Sequence, residues 1–588
     1  MSLFTRMLLA STALARLVAA STAASDSHGS DPSPPASQKP NFIFIMTDDQ
    51  DLHLNSLDYM PAVRRHFTEK GTTFDKHYTT VSLCCPSRVT LFTGRAAHNT
   101  NVTDIVPPYG GYSQFIAEGW NDNYLPVWLQ AEGYNTYISG KLMNGFSDHN
   151  YDKPPPKGWT SRDLFVEPNT YVYYNASMQR DKEEPKYYPH NYSTDLVGDK
   201  AVHFLDHAID SDKPFFLAVT PVGPHSESVP DGFSHPVPAH RHEHMFPGLK
   251  APRTSNFNPD VPSGGGWIKT LDQLNDTVVD YLDDWYRNRI LALQSVDDMI
   301  NDILRRMEKD KDVLDNTYLI YTSDNGYHVG QHRLAPGKTC PIEEDINIPF
   351  IIRGPGIDAG KTVSIPTTHT DLVPTLFQLA GIPLQDEFDG EPMPVTSEQI
   401  EACEHKNEHV GVEYWGIGIP EGKYDGTGAL MVGGGGLFNT YKAARVISDD
   451  YNIAYIVWCL NEHELYDMTV DPGQMNNLYG ENGTINGWQI PQLTNRIDAL
   501  VLTLKACKGS VCTRPWETLH PQGDVHNLAE AMDPKFDDFY RDEAKVTYSA
   551  CMKGYLPDFE GVLYPTPFST SANYSSAEPQ LRIPRWAA

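Results

Sequence analysis

The sequence predicts an α/β fold: a doubly wound, mostly parallel sheet followed by a smaller C-terminal α+β domain built on an antiparallel sheet. Two observations carry this. Over the first 400 or so residues, short apolar runs alternate with longer helical patterns, and a run apolar at every position is a strand covered on both faces, as parallel strands are. Beyond residue 400 the runs give way to alternating segments, the period of strands with one buried face.

Taken in order, Arg6 and the apolar run Met7-Leu8-Leu9-Ala10, continuing with small residues to Ala24 and interrupted by Arg16, read as a secretory signal over residues 1–24. Residues 25–40, rich in Ser, Pro and Asp, read as a disordered leader. The main domain, 41–400, opens with the strand Asn41 to Met46. Its further strands are expected at Tyr134 to Ser139, Pro214 to Thr220, Thr317 to Thr322 and Ile348 to Ile352. Helical spacing covers Asp195 to Ile209 and Val278 to Met307, the latter with Tyr281, Trp285, Leu291 and Met299 on its apolar positions. A smaller domain, 401–514, follows with strands at His409 to Trp415, Thr440 to Ile447, Tyr451 to Cys459 and Glu464 to Met468, and a helix near Leu493 to Lys505. Residues 515–588, rich in Pro, Asp and aromatics, form an extension whose packing the sequence leaves open.

The formal net charge of −30 excludes a nucleic-acid partner, whose phosphates would be repelled, and means that any site for an anionic substrate must gather its own cations. No stretch after the signal reaches the roughly 18 apolar residues of a membrane span. Sequons at Asn101, Asn175, Asn191, Asn275, Asn482 and Asn573 fit a glycosylated product of the secretory pathway, destined for the exterior, the cell wall or a vacuole-like or lysosome-like compartment. Cys507 and Cys512 are close enough to staple a loop, while Cys403, Cys459 and Cys551 allow several pairings.

In a doubly wound sheet, ligands collect at the carboxyl ends of the strands. Asp48-Asp49 follows the first strand, Gly140-Lys141 the second, Gly223-Pro224-His225 the third and Asp324-Asn325 the fourth. These four motifs should converge. Asp48, Asp49, Asp324 and Asn325 are hard oxygen donors suited to a divalent cation, although each pair alone also suits a turn or a helix cap.

Cys84-Cys85-Pro86-Ser87-Arg88, followed by Thr93-Gly94-Arg95, resembles the signature of the type I sulfatases, C-x-P-S-R-x-x-x-x-T-G-R. The resemblance implies an alkaline-phosphatase-like fold and oxidation of Cys84 to formylglycine (3-oxoalanine) by a formylglycine-generating enzyme or oxidase. It further implies a Ca²⁺ held by Asp48, Asp49, Asp324 and Asn325 together with the modified residue 84. Lys141, His225 and Lys338 match the family's sulfate-binding positions, and Arg88 would orient the hydrated aldehyde and offset its charge. The implied reaction is in-line attack on sulfur by one hydroxyl of the hydrate, expulsion of the alcohol, and collapse through the second hydroxyl. Ser87, with a single hydroxyl, is read as a motif or cap residue.

One departure matters. Many arylsulfatases carry Lys-x-His at the second strand end, where this chain reads Lys141-Leu142-Met143-Asn144; Asn144 cannot carry a proton as imidazole does. His328 is the favoured replacement and His332 the second candidate. The segment after Lys338, Thr339-Cys340-Pro341-Ile342-Glu343, also departs from the arylsulfatase pattern. Gly140-Lys141-x-x-Asn144 and Ser323-Asp324-Asn325-Gly326-Tyr327-His328, with Ala97-His98-Asn99 and Arg353-Gly354-Pro355-Gly356, look like the branch holding N-acetylglucosamine-6-sulfatases and secreted fungal arylsulfatases.

The expected activity is hydrolysis of aryl sulfate esters to a phenol and sulfate, with a carbohydrate sulfate, such as N-acetylglucosamine 6-sulfate, as the alternative substrate. A phosphonate or phosphodiester hydrolase on the same scaffold, or a non-catalytic glycoprotein if Cys84 stays a thiol, are the further alternatives. Substrate selection falls to the loops Val106 to Gly119, Tyr151 to His190 and Ser226 to Gly265. Their tyrosines, Tyr171, Tyr173, Tyr174, Tyr187 and Tyr188, suit either stacking on a ring or ordinary loop packing.

Overall fold

The computed structural model describes residues 39–569, apart from 231, 403–406 and 425–437. The signal peptide, nearly all of the leader, Cys403 and Asn573 lie outside the described residues. Five strands form a parallel core, in the order Thr317–Ser323, Asn41–Thr47, Phe215–Thr220, Asn135–Gly140 and Ser161–Phe165, within a ten-stranded sheet. Asn41–Thr47 and Phe215–Thr220 are buried at every position, because helices cover both faces of the sheet. On one face, Ser193–Ile209 and the 32-residue helix Asp276–Met307 pack through Leu205, Trp285, Leu293 and Ile300. On the other, the helices Cys84–Thr93 and Leu372–Ala380 pack through Val89, Phe92 and Leu376.

Register decides where the polar motifs emerge. Thr47 pairs with Ser323 and Gly140 with Thr220, so the four parallel strands end at one level and release Asp48, Lys141, His225 and Asp324 at one edge.

One expectation needs correction. The strand predicted at Ile348 to Ile352 forms as Phe350–Arg353 but runs antiparallel to Thr317–Ser323. No long helix intervenes, only the single turn Glu343–Ile346, and a parallel return requires a crossover that packs back onto the sheet.

The second sheet is antiparallel throughout, in the order His409–Tyr414, Tyr441–Ile447, Asn452–Trp458 and His463–Asp467. One face carries Ile490–Leu504, and the extension joins that core: Trp516, Leu519, Leu528, Phe539 and Tyr540 pack there. The other face meets Tyr78, Val81, Leu83 and Ile342, and so braces the segments leading to Cys84 and following Lys338. Cys507 pairs with Cys512, and Cys459 with Cys551, which ties the extension to the sheet across 92 residues. Among the described residues, no helix is long and apolar enough to cross a membrane.

Glu464 lies in this sheet, buried, accepting hydrogen bonds from Trp458 Nε1 and the Tyr466 hydroxyl. Burial pushes its carboxyl from 4.5 up to about 7, the two hydrogen bonds opposing. Between those values the folded chain keeps a proton that the unfolded chain has lost, so this group's contribution to stability falls as pH rises from about 4.5 to about 7. Glu464→Gln is therefore expected to lose less melting temperature than the native protein between pH 5 and pH 7.5, measured by paired thermal melts.

Candidate active site

Cys84 is the first residue of the helix Cys84–Thr93, all ten of whose residues are buried. Pro86 sits in the first turn, where its missing N–H costs nothing. Gly94 ends the helix at φ 67°, a left-handed value that favours glycine. This short element brings the signature's side chains under the strand ends. The Ser87 hydroxyl is 3.0 Å from His369 Nδ1 and also donates to the Asp324 carbonyl, a tether between helix and strand end.

Arg88 is fully buried and draws three strand ends together. Its Nε donates to Asp324 Oδ2 at 2.8 Å, Nη1 to the Lys141 carbonyl at 2.7 Å and Nη2 to Asp48 Oδ2 at 3.3 Å. Lys141 Nζ also donates to Asp48 Oδ2. Lys338, on the short strand Gly337–Lys338, places Nζ 2.6 Å from each oxygen of Asp49 and 3.4 Å from Cys84 Sγ. Cys84 Sγ lies 3.6 Å from Asp48 Oδ1 and 4.0 Å from Asp49 Oδ1. His225 Nε2 is 3.6 Å from Asp49 Oδ2. Asn325 Nδ2 donates to Asp49 Oδ1 at 2.7 Å, and Asp324 Oδ1 accepts the Asp49 N–H at 3.0 Å. The structure thus gathers Asp48, Asp49, Cys84, Arg88, Lys141, His225, Asp324, Asn325 and Lys338 in one buried cluster.

The electrostatics are those of a site for an anion and a cation. Burial alone would raise both Asp48 and Asp49; Lys141 and Arg88 around the first, and Lys338 and His225 around the second, hold the two carboxyls below their ordinary value. Burial lifts the Cys84 thiol far above its usual range despite Lys141 and Lys338, so as a thiol it stays protonated and is a poor nucleophile. Asn325 Oδ1 is a buried oxygen without a hydrogen-bond partner, on the side chain whose Nδ2 bonds Asp49. An unpaired buried acceptor costs about 1–3 kcal/mol, and a cation on it would remove that penalty. Asp48, Asp49, Cys84 and His225 bring ligand atoms within 4.8 Å of one another, and Asp324 and Asn325 could add oxygen donors of the kind a hard divalent ion takes.

His328 stands apart from these contacts. Its Nδ1 is 2.8 Å from Asp345 Oδ1, and it forms a second buried group with Asp345 and Cys340. His332 Nδ1 is 2.8 Å from the Ser263 hydroxyl, and burial, then His328, pushes its pKa down to about 3.

Two residues around the cluster have no sequence motif to announce them. Tyr171, from an irregular loop, stacks on His225 with ring centroids 4.3 Å apart and lies under Lys141 Nζ at 4.7 Å. Its hydroxyl accepts a hydrogen bond from Asn144 Nδ2 at 2.7 Å. Glu421 follows the two-residue strand Ile419–Pro420, which pairs with Gly337–Lys338. Its Oε1 is 3.7 Å from Lys338 Nζ, and its Oε2 accepts the Tyr327 hydroxyl at 2.7 Å.

A large mixed sheet whose parallel strand ends bring lysines and carboxylates to the cysteine that opens a buried helix suits a hydrolase of anionic esters. The chain belongs to the sulfatase family, whose profile matches residues 40–382, and it is a sulfuric ester hydrolase. It is 50% identical to the sulfatase ppz1 of Metarhizium majus over 418 residues, 71% of this chain and 90% of that one. It is 36% identical to an arylsulfatase of Volvox carteri over 550 residues, 88% of this chain and 82% of that one. A solved structure in complex with its substrate D-glucosamine-2-N,6-O-disulfate superposes at TM-score 0.60 and 22% identity, over 75% of this chain and 94% of that one, a likeness of fold.

Proposed function

We infer that the chain hydrolyses aryl sulfate esters to a phenol and sulfate, using a formylglycine made from Cys84 beside a Ca²⁺ ion. The observation that carries this reading is the meeting of Cys84 with Lys141, His225 and Lys338 on one side and Asp48, Asp49, Asp324 and Asn325 on the other. The hydrated aldehyde would supply a hydroxyl nucleophile and a second hydroxyl for release of sulfate, and Asp48, Asp49, Asp324 and Asn325 would hold a cation that would supply fixed positive charge.

The chain's own residues do the rest. Lys141, Lys338 and His225 present donors to the sulfate oxygens, where charge accumulates as the ester breaks. Arg88, fastened to Asp48 and Asp324, sets the spacing of the carboxylates and keeps a permanent positive charge beside residue 84. His328, turned to Asp345, whose Oδ2 also accepts the Cys340 N–H at 2.8 Å, fixes the segment that carries Lys338. That assigns it a positioning role in place of the proton transfer its sequence position suggested.

Maturation and destination follow the same reading. Cys84 is only 2% exposed, so a converting enzyme has to reach it before folding is complete. The two disulfides and the exposed sequon residues Asn101, Asn191, Asn275 and Asn482 suit a secretory compartment; Asn175 is half-buried, its Oδ1 accepting the His190 N–H.

The second reading, a carbohydrate sulfatase, is favoured by the likeness of fold to the structure bound to a sulfated glucosamine. Protein made in a host that converts the cysteine, tested against 4-nitrophenyl sulfate and glucosamine 6-sulfate, separates the two. The aryl ester is expected to show the higher kcat/KM; the reverse order would make the enzyme a carbohydrate sulfatase, and turnover of phosphonate esters alone would refute both.

A further inference from the structure

Asn144 stands three residues past Lys141 at the second strand end, next to Met143, the position at which a Lys-x-His would place its histidine, and the structure shows what it holds. Its Nδ2 donates to the Tyr171 hydroxyl, while its Oδ1 is buried with no partner. The bond from Asn144 occupies a lone pair of the phenolic oxygen and leaves the phenolic proton unspent, since no acceptor for it is found among the described residues. A buried phenol normally directs that proton at something.

The tyrosine's place says what. Its ring touches His225 and Lys141, two of the three sulfate-cradle residues. Exposure rises from Lys141 at 1% and Cys84 at 2%, through His225 at 4%, to Tyr171 at 9%, so Tyr171 stands on the side where the cradle opens. In-line displacement from residue 84 puts the departing oxygen opposite the attacking one, and so on that side. Lys141 and His225, each beside a carboxylate, are assigned above to the sulfate oxygens. Tyr171 is the neutral donor with no carboxylate claim on it.

We propose that the Tyr171 hydroxyl donates a hydrogen bond to the ester oxygen of the leaving alcohol, and that Asn144 is the residue that positions it. The proposal rests on the sulfate ester reading above. As the S–O bond breaks, its electron pair remains on the ester oxygen, and the hydrogen bond stabilises the charge that grows there. The phenolic proton stays on Tyr171; the alcohol takes its own proton from solvent. The need for this bond grows with the basicity of the leaving oxygen: small for a nitrophenol, large for a sugar hydroxyl. One site can then serve aryl and carbohydrate esters without a second histidine.

Tyr171→Phe keeps the ring, its stacking on His225 and its contact with Lys141, and removes only the hydroxyl. Turnover is measured over aryl sulfates of rising phenol pKa and over glucosamine 6-sulfate, with melting temperature and formylglycine content checked for each protein. The expected loss in kcat is about 10-fold or less for 4-nitrophenyl sulfate and grows towards about 10²–10³-fold for the sugar ester, the scale of losing one aimed donor. KM is expected to change little. Asn144→Ala should give the same trend more weakly, and the double variant should match Tyr171→Phe, because Asn144 acts through the tyrosine. A loss equal across the series, no loss, or losses that add in the double variant would overturn the proposal. A native enzyme inactive on every sulfate ester would instead defeat the functional reading, and the tyrosine's role with it.

Discussion

Cys84→Ala is expected to abolish sulfate ester turnover, a fall on the order of 10⁴–10⁶-fold in kcat, the range seen when a nucleophile is deleted. The surroundings explain why nothing else substitutes. The only other hydroxyl on the first turn, Ser87, is bound to the Asp324 carbonyl and His369. The unconverted thiol is held neutral by burial, so even the native cysteine, left unoxidised, is expected to be nearly inactive. Cys84→Ser is the sharper variant: it offers one hydroxyl, with no second one to expel the sulfate. It should release at most one equivalent of phenol and then stop. Mass spectrometry of the peptide holding residue 84, set beside the time course of phenol release, checks all three states. A native protein with an unmodified thiol and full turnover would show that formylglycine is not the nucleophile.

Much of this site was legible before any coordinates, for a definite reason. A strand covered on both faces is an unbroken apolar run, so the residue where the run stops is visible in sequence, as at Thr47-Asp48 and Ser323-Asp324. Parallel register then brings those stops together. Tyr171 was legible only as one of five loop tyrosines suited to stacking or to packing, because its loop has no period and its neighbours in space, Lys141 and His225, are 30 and 54 positions away. Glu421 was hidden for a similar reason: a two-residue strand pairing, Ile419–Pro420 with Gly337–Lys338, carries too few residues to leave a pattern. The reversed direction of Phe350–Arg353 depended on the missing crossover helix, and the Cys459–Cys551 pair on how the extension folds back. His328, adjacent in sequence to Asp324-Asn325, is turned by its Nδ1 to Asp345, a partner 17 positions on that no motif announces.

The proposed cation site is the second place where single substitutions should have large effects, and the size of the stability change and the response to Ca²⁺ separate ligand from scaffold. Asp49→Asn removes a carboxylate on which the buried Lys338 depends at 2.6 Å. Breaking a buried ion pair costs about 3–5 kcal/mol, so this variant should melt lower even without Ca²⁺, and its turnover should fall by at least about 10³-fold. Asn325→Leu strands no charge. It gives up two hydrogen bonds, to Asp49 Oδ1 and to the Gly326 carbonyl, each worth about 1 kcal/mol or somewhat more, but also removes the unpartnered oxygen Oδ1, whose relief offsets part of that loss. Its melting temperature in chelator should therefore fall, but by less than that of Asp49→Asn. On adding Ca²⁺ to about 100 times the dissociation constant, the native protein should gain about 2.7 kcal/mol, whereas Asn325→Leu should gain far less and Asp49→Asn almost nothing. Thermal melts of the three proteins with and without Ca²⁺ read this directly and independently of catalysis. If Asn325→Leu melts low in chelator yet keeps the native response to Ca²⁺, Asn325 is scaffold, and the cation is held by the three aspartates without it.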